Sequence, residues 1–226
     1  GGLLALAASV AWLLPNRVAG PDSNQTAGDQ QSAWSLARNP AFAQLMGIAA
    51  LVGGSHALHD GFEVIRWRAA GMSAVEVSIL WSLSVAAEVA VFAGFGSRLL
   101  EKLGPRRAMV LAASAGIIRW GTAARTAWFP AMALVEPLHG LTFAMLHLAC
   151  MDMIGRVVPA TLAATAQAFY ATVAMGATAA LVTVASGPLY ATFGPSAFWG
   201  MAIMCAVALP LTWMIQSPSR PRASTA

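Results

Sequence analysis

Charged side chains are scarce: 13 basic and 9 acidic groups make up 10% of 226 residues, against about a quarter in a soluble domain. That deficit excludes an ordinary water-soluble surface. Intrinsic disorder is excluded too, because 58% of the residues are hydrophobic and so apolar a chain does not stay solvated. The two cysteines, Cys150 and Cys205, sit inside apolar runs, so no disulfide framework is expected. Alternation with period two is missing, which argues against a membrane barrel. No basic stripe is interleaved with aromatics, so the net charge of +4 does not call for nucleic acid.

What is present is apolar length. A helix crossing about 30 Å of hydrocarbon needs about 20 mostly apolar residues. Six such runs follow one another, at roughly 41–65, 73–97, 107–127, 130–154, 160–186 and 195–216. Their junctions carry Arg66, Arg68 and Gly71; the charged hinge Arg98, Glu101, Lys102, Gly104, Pro105; then Pro130, Pro159, Gly187-Pro188 and Gly194-Pro195, which are start and stop signals for helices. The sequence predicts an all-α membrane protein whose domain, 41–216, is a six-helix transmembrane bundle. Residues 1–14 are too short to span and are expected to be the end of a preceding transmembrane helix. Residues 15–40 form a polar linker and 217–226 a tail.

Basic residues near span ends set orientation. Arg17, Arg38, Arg98, Lys102, Arg106, Arg107, Arg156, Arg220 and Arg222 fall on one side; Arg66, Arg68 and Arg125 fall on the other. Linker and C-terminus are therefore expected in the cytoplasm. Arg119 is left inside the membrane.

Ionisable groups at membrane depth are expensive and usually face a bundle interior. At 100° per residue, His56, His59, Asp60 and Glu63 share one face of the first span. Trp81, Ser84 and Glu88 line up on the second. Arg119 stands beside Trp120 on the third, and Glu136, His139, Phe143 and His147 share a face of the fourth. Arg119 is expected to pair with Glu88 or Glu136, since an unpaired guanidinium there costs roughly 2.5–3.5 kcal/mol on insertion scales. His139, one turn from Glu136, is placed to exchange a proton with it. Asp152 and Arg156 read as an i, i+4 pair at the rim. Small residues recur every fourth position at Ala160, Ala164, Ala168, Thr172, Gly176 and Ala180, a pattern that lets another helix approach closely. An i, i+3 histidine pair followed by Asp60 suggests metal chemistry, but no second cluster at zinc spacing accompanies it. Neither metal nor cofactor is expected.

The hinge Gly96-Ser97-Arg98-Leu99-Leu100-Glu101-Lys102-Leu103-Gly104-Pro105-Arg106-Arg107 resembles the loop between paired helices in major facilitator superfamily transporters. The series His56-Ala57, Gly61-Phe62, Leu80-Trp81-Ser82-Leu83, Ala87-Glu88-Val89, Arg119-Trp120, Leu138-His139-Gly140, Thr142-Phe143 and His147-Leu148-Ala149 resembles, from about residue 40 to 216, the C-terminal half of one branch. That branch contains 3-phenylpropionate transporters and is related to nucleoside–proton symporters.

The resemblance implies that the six spans are helices 7 to 12 of a proton-coupled carrier working by alternating access in a bacterial inner membrane. An N-terminal half would then complete the cavity. Lactose-permease-like relatives imply a proton-coupling set of Glu88, Arg119, Glu136 and His139. Substrate, a small organic solute such as an aromatic carboxylate or a nucleoside, would meet Arg119, Trp81, Trp120, Phe143 and His56. Gly96, Glu101, Lys102, Gly104, Arg106 and Arg107 would form the gating loop. No enzyme activity is implied. Two other readings stay open: an intramembrane metal-dependent enzyme using His56, His59, Asp60 and His139 or His147, and an inactive half-transporter.

Overall fold

In a computed structural model of the chain, the described residues are 35–36 and 38–216. The expected preceding helix at 1–14, most of the linker and the tail lie outside them. Among the described residues every regular element is helical.

The starts of the helices follow local chemistry. Helix α1, Pro40–Gly54, opens on Asn39, whose Oδ1 accepts the N–H groups of Ala41 (3.0 Å) and Phe42 (3.3 Å). Pro40 occupies a position where a missing N–H costs nothing. The Asn39 amide also donates to Val157 O at 3.1 Å, which ties this start to the end of a later helix. Helix α2, Ala57–Ala69, follows after Ser55 and His56. Helix α3, Ala74–Ala90, begins with a reciprocal capping box: Ser73 N–H donates to Glu76 Oε2 at 2.7 Å and Glu76 N–H to Ser73 Oγ at 3.2 Å. A π turn, Val91–Phe95, leads into α4, Gly96–Arg125.

The fourth run changes its winding twice. It comprises α5, Phe129–Val135, a 3₁₀ turn Glu136–Leu138, a π segment Gly140–Met145 and α6, Leu146–Val157. Pro137 explains the first change, since it lacks an N–H and its ring crowds the carbonyl one turn back. The remainder is α7, Ala163–Phe169, a π segment Tyr170–Ala177, α8, Thr178–Phe193, and α9, Phe198–Met214.

Four helical stretches are long and apolar enough to cross a membrane: Pro40–Ala69, Ala74–Arg125, Phe129–Val157 and Ala160–Met214. Six were expected. The difference arises because two stretches, of 52 and 55 residues, run on through junctions without leaving helical hydrogen bonding. Backbone breaks mark those junctions: Gly94 (φ 124°), Gly104 (φ 74°) and Gly194 (φ 54°), conformations open to glycine and strained for other residues. The hinge at 96–107, expected as a loop, is therefore helical except at Gly104. Arg106 anchors it, donating to the carbonyl oxygens of Thr212 (3.1 Å) and Trp213 and lying over the Trp213 ring. Glu101, Lys102 and Arg107 are exposed, and Gly96 is buried.

One core joins α1, α4, α6 and α9. Close approach there depends on Gly116, where a Cβ would come within 2.5 Å of Cys205 Sγ. The four-residue stripe from Ala160 to Ala180 is exposed; no helix among the described residues covers it. Asp152 and Arg156 do pair, at 2.7 Å, with the Asp152 side chain only 5% exposed.

Candidate functional site

Four elements converge on Arg119, whose side chain is 1% exposed. Its Nη2 donates to Glu136 Oε2 at 2.7 Å and approaches His59 Nε2 at 3.2 Å, while Nη1 donates to His139 Nδ1 at 3.1 Å. Of the two partners expected for Arg119, Glu136 pairs with it; Glu88 is reached at one remove, through His139. Ser84 Oγ donates to Glu136 Oε2 at 2.6 Å, so that oxygen is held by α3 as well as α4. His139 Nε2 faces Glu88 Oε2 at 3.2 Å. Because Nδ1 must accept from the guanidinium, His139 carries its proton on Nε2 and donates it to Glu88. Glu136 and His139 do not bond to each other; Arg119 stands between them, which corrects the direct proton exchange expected from their spacing.

The local winding makes this possible. In a 3₁₀ turn residues i and i+3 eclipse, so Glu136 and His139 point the same way and take separate nitrogens of one guanidinium. Gly140 then lets the π segment touch α3: a Cβ there would lie 2.7 Å from Ala87 O. That contact brings His139 within reach of Glu88.

Beside the cluster lies a cavity of about 590 Å³ whose walls include His56, Asp60, Trp81, Glu88, His139 and Phe143. Its far wall comes from Ala171, Met175, Gly176, Ala179 and Thr183. His139 and Phe143 stack at 5.4 Å between ring centres. Of the five residues expected at the substrate, Trp81, Phe143 and His56 line the cavity. Arg119 lies behind His139, and Trp120 is not on the wall at all. Trp120 is fully buried: its indole N–H donates to Ser55 Oγ at 2.9 Å and its ring lies under the Arg119 guanidinium, 4.5 Å from Cζ to ring centre. It is a platform for the cation. His56 is likewise fixed, with Nδ1–H donating to Gly53 O at 3.1 Å and Nε2 accepting from Thr142 Oγ1 at 2.9 Å. His147 lies apart, against Tyr170 and Phe92.

Residues 2–201 match the MFS_1 like family. The chain belongs to the major facilitator superfamily. Over 164 residues it is 40% identical to a protein of Escherichia coli (strain K12) described as a probable 3-phenylpropionic acid transporter. The match covers 73% of this chain and 42% of that relative, so the chain spans less than half the length of the relative it matches. Membership agrees with the helical fold and with an origin among multi-pass membrane proteins.

Within this superfamily chain, His59, Asp60 and Glu63 were given no place in the carrier site by sequence, His59 and Asp60 entering only the metal-enzyme reading. His59, 1% exposed, sets Nδ1 against Asp60 Oδ1 at 3.1 Å and Nε2 against Glu136 Oε2 at 3.4 Å. Glu63 is fully buried one turn further along, 3.4 Å from Arg66, with Oε2 lacking a hydrogen-bond partner. Both lie on the α2 face that helical spacing identifies; their partners on other helices do not follow from spacing. Among the described residues no group of three or more His, Cys, Asp or Glu side chains is placed to hold a metal ion.

Proposed function

We propose that the chain forms six spans of a proton-coupled carrier for small aromatic carboxylates, with a second bundle completing the cavity. Length supports six: a straight helix of 52 residues would run about 78 Å, far beyond about 30 Å of hydrocarbon. Gly94 and Gly104 divide one long stretch and Gly194 the other. The basic asymmetry, nine residues against three, supports a cytoplasmic linker and C-terminus in the inner membrane. The relative's 42% coverage and the exposed small-residue stripe support a partner bundle across the cavity.

The observation that carries the mechanism is the charge balance around Arg119. One guanidinium, bonded to Glu136, shares the site with two more carboxylates, Glu88 beyond His139 and Asp60 beyond His59, so with neutral histidines these groups hold two net negative charges. An anionic substrate entering a cavity of low dielectric is repelled unless a carboxylate takes up a proton. Proton and anion together enter as a neutral sum, which is the condition for symport. Either Glu88 or Glu136 carries that proton. Once its counter-charge is neutralised, Arg119 offers its field to a substrate carboxylate, and Trp81 and Phe143 flank an aromatic body. Gly96, Glu101, Lys102, Gly104, Arg106 and Arg107 form the hinge about which the cytoplasmic end moves, and binding near the midplane fits rocking of two bundles.

The test is uptake of radiolabelled 3-phenylpropionate by the full-length carrier in proteoliposomes, with internal pH followed by a dye. An imposed inward proton gradient should drive accumulation, and Arg119→Ala and Glu88→Gln should each abolish it. Accumulation that survives both substitutions overturns the assignment.

A further inference from the structure

We propose that Asp60 and His59 form the proton path between the cavity and Glu136. The inference rests on the proton-coupled reading above and adds a route to it. Asp60 is the accessible end: its side chain is 60% exposed and lines the cavity. Glu136 is the closed end, 3% exposed. His59 lies between them with one ring nitrogen on each carboxylate, at 3.1 and 3.4 Å. Trp67, Trp81 and Trp120 pack around the ring, with centroids 6.0, 5.2 and 5.5 Å away, which leaves the imidazole as the polar link between the two carboxylates. A proton bound for Glu136 from this side passes through the imidazole.

The step balances. Neutral His59 with its proton on Nε2 accepts a proton at Nδ1 from Asp60 and releases the Nε2 proton to Glu136 Oε2. Asp60 ends as a carboxylate, Glu136 as a carboxylic acid, and His59 as the Nδ1–H tautomer, which then donates back to Asp60. Nε2 is now a bare acceptor 3.2 Å from Arg119 Nη2, so the guanidinium that loses an ionised partner gains a neutral one. The reverse step, in which Glu136 returns its proton to Nε2 and Nδ1 releases one to Asp60, restores the starting tautomer. The groups facing His59 are Arg119 from α4, Glu136 from the 3₁₀ turn, and Asp60, His56 and Glu63 from its own side of the bundle.

The two histidines on the cavity wall, His139 and His56, are not built for this. His139 has Glu88 on one nitrogen and the Arg119 guanidinium on the other, so it offers no second carboxylate to which a proton could pass. His56 has a carbonyl and a hydroxyl. Only the His59 ring bridges two carboxylates.

The experiment compares two modes in proteoliposomes holding the full-length carrier and radiolabelled 3-phenylpropionate. Proton-driven accumulation needs the path to load and unload; exchange of internal for external substrate needs no net proton movement. His59→Gln keeps an amide toward Glu136 but cannot relay, and Asp60→Asn removes the entry group at an exposed position. For both, accumulation should fall at least tenfold more than exchange, and Asp60→Glu should restore it. Wild-type accumulation in either variant overturns the path, as does an equal loss of both modes in Asp60→Asn. If His59→Gln fails to fold, Asp60→Asn decides alone. A wild-type carrier that moves no protons with substrate would instead defeat the proton-coupled reading itself.

Discussion

At the scale of residues, Arg119 concentrates the risk in this protein. Its charge is sealed from solvent and is compensated chiefly by Glu136 at 2.7 Å. Removing one member of a buried pair strands the other, at a cost of about 3–5 kcal/mol, whereas replacing both with apolar groups is often close to neutral. Arg119→Met should therefore lower the melting temperature of detergent-purified carrier markedly, and adding Glu136→Leu should recover most of the loss without restoring uptake. A double variant as unstable as the single one would show that the pair is not what the guanidinium stabilises. Arg119→Lys separates charge from shape. An ammonium is one point donor and does not span the separate places that Nη1 and Nη2 serve. The protein should fold, with uptake reduced at least tenfold in a transport assay. Ser84 makes a smaller claim: losing its 2.6 Å bond to Glu136 should cost about 1–3 kcal/mol, read as a modest fall in melting temperature for Ser84→Ala.

At the scale of elements, the broken winding of the fourth run is the least conventional feature and the one on which the site depends. Pro137 forces the 3₁₀ turn, and the π segment after it absorbs the register change before α6 resumes. Pro137→Ala should let α5 and α6 join as an ordinary helix, in which residues three apart lie about 60° off one another. His139 would then swing away from the Arg119 and Glu88 it now joins. We expect a protein at least as thermally stable as wild type that accumulates substrate poorly; unchanged accumulation would show that the turn is incidental. This element also marks what the sequence conveyed. Apolar runs and their Pro and Gly junctions were legible because membrane thickness fixes helix length, and the pairing of Arg119 with a carboxylate was legible because lipid tolerates no lone cation. The break at Pro137 was not drawn from its run, since counting faces at 100° per residue presumes regular winding. Trp120 was placed on the substrate side for a related reason: a helical wheel gives a direction but not the neighbour, here Ser55 and Phe198, that covers it. Continuous hydrogen bonding across Gly94 and Gly104 was likewise beyond a reading that treats charge as loop.

At the scale of the whole molecule, the question is which exposed surfaces meet water, lipid or another bundle. Exposure alone does not separate them, but thiol chemistry does, because a maleimide reacts with the thiolate and a thiolate needs water. Cys150 and Cys205 are both fully buried, so these two thiols should be silent to a membrane-impermeant maleimide. Ala179 lines the cavity and Ala168 lies on the exposed small-residue stripe. In the full-length carrier, Ala179→Cys should label rapidly and be protected several-fold by saturating 3-phenylpropionate. Ala168→Cys should label slowly whether or not substrate is present, because a second bundle or lipid shields that part of the stripe from water. Rapid labelling at Ala168 would place the stripe on an aqueous path, and failure of substrate to protect Ala179 would remove the cavity from the transport route. The two positions sit eleven residues apart in one helical run, so a difference between them cannot be laid to separate domains or to unequal folding. It would report that the length of that run around Gly176 and Ala179 lines a water-filled chamber while its earlier part around Ala168 is closed off.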